Sequence, residues 1–391
     1  MTPVCLTPEP GHYCFGYYDR CPWDATGRYH LALKIPQQDR LPVPGEPATV
    51  GVIDLAAPVP RFRAIAETCA WNHQQGSMTQ WLPGEPGCFV CNDAERTADG
   101  WHLVARVYRL DGTRVRTLPR PVYILAPDGR TAATLDFGRI HHRPGYAYTV
   151  ADARQAPLCP RDVGVWTMDT TTGESRLILS IADFAAVHPN PYELAGTYLW
   201  LNHLGYNCDG TRLMVLLRYA EPALSPPWKT FLYTFNPDGS ELRCALPDVY
   251  WHTLSHQLWG SRPDEIIVDA NWRGRGAEFI AFTDGETTFR NLAPGLFGQM
   301  AHITPSRDGN WLVADSYPQG SPPEQLLRLI DLRRGTERLL GRFAHPPRPL
   351  TDLRCDLHPR LSPDNRRLSF DSTMSGERKL YQLDLSALTQ A

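Results

Sequence analysis

Histidine recurs at one position of a repeated sequence pattern. His203, His302 and His358 each stand six residues before the aspartate of a turn, and the related His256 stands eight residues before Asp264. A neutral imidazole can bind a divalent metal ion or take up a proton near neutral pH. Because the repeated units of a fold place equivalent side chains in equivalent positions, we expect these histidines to converge.

Two interpretations of these histidines follow from their chemistry. A site for one divalent metal ion (Zn, Mn or Ca) would use imidazole ligands with a thiol or carboxylate beside them, here His256, His302 and His358 with Cys355 or Asp356. Alternatively, each histidine hydrogen-bonds to a neighbouring strand or to the aspartate of its turn and is structural. If no metal binds, His203 is a candidate base or a group that neutralises a carboxylate.

Two stretches near the N-terminus are rich in polar and aromatic side chains. His12–Arg20 contains Tyr18 within an aromatic cluster. Trp71–Pro83 interleaves His73 and Gln75 with tryptophans at positions where a core strand would carry aliphatic residues. The first stretch has a structural interpretation as well, since its aromatic residues could close the fold.

A third stretch of this kind is Leu135–Tyr148. It combines two arginines, two histidines and two tyrosines, among them Arg143 and Tyr146. The planar guanidinium groups of arginine and the hydroxyl groups of tyrosine can hydrogen-bond to a hydroxylated, anionic ligand. The stretch therefore predicts a binding loop.

The turns and strands that would position these residues repeat along the chain. A Pro-, Asp- or Gly-containing turn followed by an alternating strand is predicted near seven residues: Asp24, Pro83, Asp128, Asp209, Pro263, Asp308 and Asp364. Intervals of roughly 45 to 80 residues are typical of propeller blades with variable loops. The sequence therefore predicts an all-β protein, a seven-bladed β-propeller in which residues 1–391 form a single domain.

The later strands of four blades and one short helix are also visible. The helix is predicted over Ser180–Val187, and the strands are Val50–Leu55, Val163–Met168, Thr230–Phe235 and Leu380–Leu385. We expect Met1–Phe15 to supply a strand that closes the ring with the last blade, because closure covers exposed strand edges. A pair of all-β sandwiches is the alternative.

The composition argues against several classes of function. A net charge of −3 without a basic stripe predicts no nucleic-acid partner. No apolar run approaches the ~20 residues of a membrane span, and no signal-peptide pattern is present, so no membrane partner is expected. The ten cysteines lack disulfide or zinc spacing, which is typical of thiols in a reducing compartment. We expect a cytoplasmic monomer.

In these stretches the chain resembles the seven-bladed propeller polysaccharide lyases. The ulvan-lyase-like group is the more similar, and the oligogalacturonate lyases are more distant. The resemblance covers essentially the whole chain and lies mainly in Phe15–Asp19, Trp71–Gly76, Tyr123–Tyr148 and Asp356–Asp364. The turn motif alone is common among propellers, whereas Trp71–Gly76 together with the Arg-Pro-Gly-Tyr element is more specific.

The resemblance implies a set of active-site residues. In the family a tyrosine and an arginine sixteen residues later lie in the active site, and Tyr123 and Arg139 have that spacing. A family histidine that helps to neutralise the uronate matches His73. A second active-site histidine of the ulvan enzymes falls here at Asn92 or Asp93, and this departure argues against ulvan as the substrate.

The activity that the resemblance implies is β-elimination next to a uronic acid. The reaction removes the C5 proton and expels the C4 oxygen substituent, so the uronate carboxylate must be neutralised and a base must reach C5. Tyr123 would act as base and acid, with Arg139 and His73 on the carboxylate. Oligogalacturonate lyases hold a divalent metal on histidine and glutamine. His256, His302 and His358 match that site by position, and the glutamine has no clear counterpart in this sequence.

We therefore expect a lyase that cleaves a uronate-containing polysaccharide or oligosaccharide and leaves a 4,5-unsaturated end. The residues expected to contact this glycan are Tyr18, Gln75, Asn92, Arg143 and Tyr146. A non-catalytic propeller that binds carbohydrate or protein is the alternative, because a fold by itself does not determine a function. A metal-dependent hydrolase is a third possibility.

Overall fold

The fold is a seven-bladed β-propeller, as the repeats predict. The computed structural model describes residues 1–140, 145–151, 156–220, 228–246, 251–272, 277–295, 302–346 and 351–389. Within these residues the strands form seven antiparallel sheets of four strands each. Two short α-helices, α1 (Ile181–Ala186) and α2 (Ser386–Thr389), accompany them.

The strands are numbered along the chain. In chain order they are β1 (Val4–Cys5), β2 (His12–Cys14), β3 (Tyr29–Ile35), β4 (Ala48–Asp54), β5 (Phe62–Thr68), β6 (Gln80–Trp81), β7 (Cys88–Thr97), β8 (Gly100–Arg109), β9 (Arg114–Leu118), β10 (Ile124–Leu125), β11 (Thr131–Thr134), β12 (Gly164–Asp169), β13 (Ser175–Ser180), β14 (Tyr198–Tyr206), β15 (Leu213–Ala220), β16 (Lys229–Phe235), β17 (Arg243–Ala245), β18 (Trp251–Trp259), β19 (Glu265–Trp272), β20 (Ala277–Thr283), β21 (Phe289–Asn291), β22 (Ile303–Pro305), β23 (Trp311–Asp315), β24 (Glu324–Asp331), β25 (Thr336–Ala344), β26 (Arg360–Leu361), β27 (Arg367–Ser372) and β28 (Lys379–Asp384).

Six blades are meanders of consecutive strands, and the seventh combines strands from both ends of the chain. Blades 1 to 6 consist of β2–β5, β6–β9, β10–β13, β14–β17, β18–β21 and β22–β25, and blade 7 consists of β26–β28 with β1. All seven predicted turns lie between the first and second strands of a blade. The four later strands read from the sequence are the third strands β4, β12, β16 and β28. These predictions are confirmed.

The N-terminal segment contributes to two blades. Val4 and Cys5 of β1 pair with Gln382 and Tyr381 of β28, which confirms the predicted strand addition to the last blade. Residues 12–14 of the same segment instead form β2, the first strand of blade 1. One short strand is therefore enough to complete blade 7.

The predicted short helix is also present. Ser180 is the N-cap of α1, and its hydroxyl accepts a hydrogen bond from the backbone N–H of Asp183. The Asp183 carboxylate in turn accepts a hydrogen bond from the backbone N–H of Ser180. This reciprocal capping satisfies donors that the helix itself leaves without partners.

The chain divides into two compact units. The first consists of Met1–Pro119, Pro144–Val150 and Gln299–Ala391, and contains blades 1, 2, 6 and 7. The second consists of Arg120–Arg143 and Ala151–Gly298, and contains blades 3, 4 and 5. The single-domain organisation stays a prediction.

Apolar side chains fill the space between neighbouring sheets within each unit. In the first unit one cluster joins blades 1 and 2 around Val50 and Phe89, and another joins blades 6 and 7 around Val313 and Phe370. In the second unit a cluster around Ile266 joins blades 4 and 5. Among the described residues, no helix has the length and apolar composition needed to span a bilayer.

Candidate metal centre

Two histidines and one aspartate of the first unit form a group with metal-ligand spacing. One ligand atom from each of His302, Asp356 and His358 lies within 4.8 Å of the corresponding atoms of the other two. His302 directly precedes β22, and His358 lies just before β26, so both stand at the start of the first strand of their blades. All three side chains are buried. Two of the predicted metal ligands, His302 and His358, are thus brought together.

Hydrogen bonds fix the orientation of both imidazole rings. Nδ1 of His302 donates to Asp315, 3.1 Å from its Oδ1, and Nδ1 of His358 donates to the carbonyl oxygen of Gly16 at 3.0 Å. Because a neutral imidazole carries one proton, these bonds leave the lone pair of each ring on Nε2. A carboxylate or carbonyl on the far nitrogen is the usual support of a metal-binding histidine.

Two buried polar atoms of this group have no partner in the part of the chain that the structure describes. Nε2 of His358 and Oδ2 of Asp356 have no hydrogen-bond partner among the described residues. Buried polar atoms are nearly always satisfied, so such atoms indicate an ion or a water molecule. Both atoms belong to the metal-ligand set, and a bound cation would satisfy them together.

The charge state of His358 suits this role. Burial lowers the pKa of His358 well below its usual range, and His302, Arg360 and Arg378 act in the same direction. The imidazole is therefore neutral near pH 7, and only a neutral imidazole offers a lone pair to a metal ion.

Asp356 is held in place from one side. Its Oδ1 accepts a hydrogen bond of 2.6 Å from Nε of Arg354, whose guanidinium lies 4.4 Å from the ring centre of Tyr317.

Cys355, the other predicted ligand, lies outside the group. Its Sγ is 3.8 Å from the Asp356 carbonyl oxygen, and burial raises the pKa of its thiol to about 12. A thiol with this pKa keeps its proton near neutral pH, so Asp356 is the better third ligand.

Aromatic rings surround the two histidines. The ring centre of Tyr17 lies 4.7 Å from that of His358, and the ring centre of Tyr18 lies 5.2 Å from that of His302. Tyr146 packs edge-on against Tyr17 at 5.9 Å. Burial, and next Tyr146, raises the pKa of Tyr17 well above its usual range, so Tyr17 stays protonated. The predicted contact residues Tyr18 and Tyr146 thus lie in the aromatic shell of this group.

The loop Trp71–Gly76 supports the segment that carries Asp356. Nε2 of Gln74 donates to the carbonyl oxygens of Asp352 and Arg354, at 3.1 Å each. His73 is fully buried, its ring packs on Trp71, and its Nε2 lies 3.3 Å from the carbonyl oxygen of Gln37. These contacts are structural, and the role of His73 toward a carboxylate stays a prediction.

The same loop also packs tightly on the N-terminal aromatic segment. A Cβ atom at Gly16, whose φ is +138°, would stand 2.7 Å from the carbonyl oxygen of Gln75, so only glycine fits. The backbone N–H of Gln75 donates to Asn72 Oδ1 at 2.7 Å.

Asn92, also predicted to contact the glycan, is buried and donates from Nδ2 to the Tyr148 hydroxyl at 3.1 Å. Arg143 lies outside the described residues.

In the second unit Tyr123 and Arg139 both have protein partners. Tyr123 is fully buried; its hydroxyl donates to Asn202 Oδ1 at 3.2 Å and accepts from the His203 backbone N–H at 3.1 Å. The Arg139 guanidinium donates to three carbonyl oxygens, of Pro157, Leu158 and Leu199, at 2.8 to 3.1 Å. These contacts are those of supporting residues, and the catalytic role of this pair stays a prediction.

His256 forms a pair with a buried carboxylate of the next strand. Its Nδ1 lies 2.7 Å from Oδ2 of Asp269, and Oδ1 of Asp269 has no partner among the described residues. Burial raises the pKa of Asp269 well above its usual range. A proton shared between the Asp269 carboxylate and Nδ1 of His256 relieves the buried charge, so the pair can hold a proton between its two members.

The backbone at three of the histidines is unusual. His203, His256 and His358 have φ values of 56°, 49° and 45°, in the left-handed region. Non-glycine residues adopt this conformation at a cost of about 1–2 kcal/mol and often at functional sites. Three of the four histidines singled out in the sequence thus share a left-handed backbone conformation.

The aspartates that orient these histidines were not predicted from the sequence, although their spacing is visible in it. Asp269 follows His256, and Asp315 follows His302, by thirteen residues. Asp371 follows His358 at the same interval (358 to 371), but its carboxylate accepts from Arg360 and Arg378 and does not orient His358. Such a spacing is expected when a histidine of the first strand faces an aspartate of the second across one turn.

The role of the Tyr123 hydroxyl can be tested by its removal. Tyr123→Phe is expected to lower the free energy of unfolding by about 1 kcal/mol, because Asn202 Oδ1 still accepts from the His203 N–H at 2.9 Å. With a supporting role, kcat on a uronate oligosaccharide should change less than about tenfold. A loss of ~10²–10⁴ in kcat would identify Tyr123 as the base.

Comparison with known proteins gives a likeness in structure alone. No family model matches the chain, and no curated protein matches its sequence. An oligogalacturonate lyase from Vibrio parahaemolyticus superposes with a TM-score of 0.67 at 13% identity, over 97% of this chain and 93% of that chain. An oligogalacturonate lyase in complex with manganese gives 0.66 at 16% identity, over 97% and 92%.

Propellers of other activities are similar too. A prolyl endopeptidase gives a TM-score of 0.54 at 12% identity, over 92% of this chain and 47% of that chain. Identities this low establish a shared fold and no more. The chain therefore has the propeller fold of the oligogalacturonate lyases along nearly its whole length, and the resemblance to the ulvan lyases stays a prediction.

Proposed function

We propose that the chain is a metal-dependent lyase that cleaves oligosaccharides next to a uronic acid by β-elimination. One observation carries the proposal: His302, Asp356 and His358 converge within 4.8 Å, and two of their buried atoms have no hydrogen-bond partner among the described residues. The oligogalacturonate lyase that binds manganese has the same fold over nearly the same length.

The donor set fits a first-row divalent ion. Two imidazole nitrogens and one carboxylate oxygen suit Mn²⁺, Fe²⁺ or Zn²⁺. Calcium, which prefers six to eight oxygen ligands, is poorly matched. Of the three ions considered from the sequence, manganese and zinc are thus favoured over calcium.

The chemistry requires the uronate carboxylate to be neutralised before C5 loses its proton. A divalent ion held by His302, His358 and Asp356 would supply positive charge at that carboxylate. The protein residues hold the site in advance: Asp315 and the Gly16 carbonyl orient the imidazoles, and Arg354 orients Asp356. Preorganised charge of this kind lowers the cost of forming an enolate-like transition state.

Within the second unit, we propose His256 as the residue that exchanges a proton. Its imidazole is paired with the buried Asp269 at 2.7 Å, the arrangement that steadies a histidine while it takes up a proton. Tyr123, by contrast, has its hydroxyl engaged by Asn202 and the backbone of His203. This proposal differs from the expectation from the sequence, which assigned the base to Tyr123.

The aromatic shell suits a sugar ring. Tyr17 and Tyr18 pack around the ligand histidines, and the partly exposed Tyr317 lies 5.5 Å from the ring of His302. Aromatic faces offer large, rigid apolar contact area, and tyrosine adds a polar hydroxyl. We therefore propose a uronate-containing oligosaccharide as the substrate.

The proposal is tested by product chemistry. Purified protein is stripped of metal, reloaded with Mn²⁺ or Zn²⁺, and incubated with uronate oligosaccharides or with neutral oligosaccharides of the same length. Only a lyase creates the conjugated 4,5-unsaturated uronate. Ultraviolet absorbance should therefore rise only when the metal-reloaded protein is incubated with the uronate substrate. Cleavage without this absorbance would indicate a hydrolase, and binding without cleavage would indicate a non-catalytic propeller.

A further inference from the structure

The Asp315 carboxylate connects the two histidines of the candidate metal centre. Its Oδ1 accepts from the backbone N–H of His302 at 2.8 Å and from the ring Nδ1 of His302 at 3.1 Å. Its Oδ2 accepts from the backbone N–H of His358 at 3.0 Å. Asp315 is itself fully buried at the end of β23. Three donors, one from a side chain and two from the backbone, therefore converge on one carboxylate.

The two ligand histidines differ in what holds their ring proton. His358 donates its Nδ1 proton to the backbone carbonyl of Gly16. A side-chain substitution cannot remove a backbone carbonyl group. His302 donates its Nδ1 proton to a side chain, and that side chain is Asp315. Only an acceptor at this place keeps the proton on Nδ1 and the lone pair on Nε2.

We propose that Asp315 is the positioning residue that presets His302 for metal binding by fixing its ring tautomer. This deepens the proposed function and rests on the metal centre proposed there. Asp315 does not bind the ion; it acts through His302, and through the backbone of His358 it also sets the separation of the two ligands. Carboxylates behind ligand histidines typically change metal affinity by ~10–100-fold when they are replaced.

Asp315→Asn is the informative substitution because it preserves shape and changes the hydrogen-bonding groups. An amide has a single acceptor oxygen, so one of the two backbone N–H groups faces an NH₂ group instead. That NH₂ group can also donate to Nδ1 of His302, which favours the tautomer with the proton on Nε2. An analogous carboxylate-to-amide change in a catalytic triad acts through the wrong tautomer of its histidine.

A matched control is available in the same blade. Asp331 ends β24, is buried, and accepts hydrogen bonds from the backbone N–H groups of Arg333 and Arg334. Asp331→Asn therefore removes a comparable carboxylate, and its hydrogen bonds go to no histidine. Effects shared by both variants reflect the loss of a buried carboxylate in blade 6.

The experiment measures metal binding without activity. Co²⁺ is titrated into the metal-free wild type, Asp315→Asn and Asp331→Asn while its visible absorption is followed, and two-bond ¹H–¹⁵N spectra of the imidazoles report the tautomers before Co²⁺ is added. We expect Asp315→Asn to bind Co²⁺ ~10–100-fold more weakly, with the proton of His302 moved toward Nε2 and the ring of His358 unchanged. Asp331→Asn should bind as the wild type does.

The outcomes separate this proposal from the proposed function. If the wild type binds no Co²⁺, the metal centre itself is wrong. If the wild type and Asp315→Asn bind Co²⁺ equally, the centre stands and the role of Asp315 is refuted. Should Asp315→Asn fail to fold, the wild-type spectrum still decides, because protonation of His302 at Nε2 in the metal-free protein would overturn the proposal.

Discussion

His358→Ala is expected to abolish metal binding and to lower kcat/KM by roughly a thousandfold. Lewis-acid stabilisation of a developing charge is worth several kcal/mol, and each ~1.4 kcal/mol corresponds to a factor of ten. The substitution removes one of two imidazole ligands and also the buried Nε2 that lacks a partner among the described residues. Metal content of the purified protein, measured by elemental analysis, and rates of product formation check this result.

The control for His358→Ala must reproduce its backbone strain. His358 has a φ of 45°, so alanine there meets the steric penalty of the left-handed region. Asn365, in the turn of the same blade, has a φ of 59° and lies outside the ligand group. Asn365→Ala should therefore share the loss of stability while keeping the metal. If His358→Ala retains wild-type metal content, the histidines are structural caps of their blades.

His256→Gln is expected to lower kcat by ~10²–10⁴, the usual contribution of a positioned acid–base group. Glutamine approximates the size of histidine but cannot take up a proton near neutral pH. Because His302, Asp356 and His358 form the ligand group, the metal content of His256→Gln should equal that of the wild type. Parallel measurements of kcat and bound metal distinguish a base from the metal ligand that the sequence predicts at this position.

Two further variants sharpen the assignment of His256. Asp269→Asn should also lower kcat, since it removes the partner that steadies a protonated His256. His188→Gln is the matched control in the same unit: His188 is buried, and its Nδ1 accepts from the Asn190 backbone N–H at 3.0 Å. Loss of metal in His256→Gln would identify His256 as a metal ligand. An unchanged kcat would show that His256 takes no part in the reaction.

The sequence by itself determined the architecture of the blades. Turn residues such as Pro363 and Asp364 and alternating strands such as Arg367–Ser372 act through steric preferences and through burial of one face, which are local effects. The repeat position of His302 and His358 could be read for the same reason, because equivalent positions of a repeated hairpin have equivalent surroundings. The short β1 strand was predictable because an incomplete last blade leaves an open edge.

The partners of these histidines were decided by the tertiary structure. His256 and His302 each bond to the aspartate thirteen residues ahead, within their own blade. The backbone N–H of His358 instead bonds to Asp315, 43 residues away, and its ring bonds to Gly16, 342 residues away. The equivalent aspartate of blade 7, Asp371, binds Arg360 and Arg378.

The physical reason is the range over which the deciding contacts act. A buried carboxylate takes the nearest donors that remain after the blades have packed. For Asp315 one donor comes from the neighbouring blade, and the acceptor of the His358 ring proton comes from the N-terminal segment. For the same reason the spacing of Tyr123 and Arg139 did not show that their polar groups contact Asn202, the Leu199 carbonyl of blade 4 and the Pro157 carbonyl in the loop between β11 and β12. Residue types and spacing identified which side chains are chemically able to act, and packing determined which of them are left with an atom to offer a ligand.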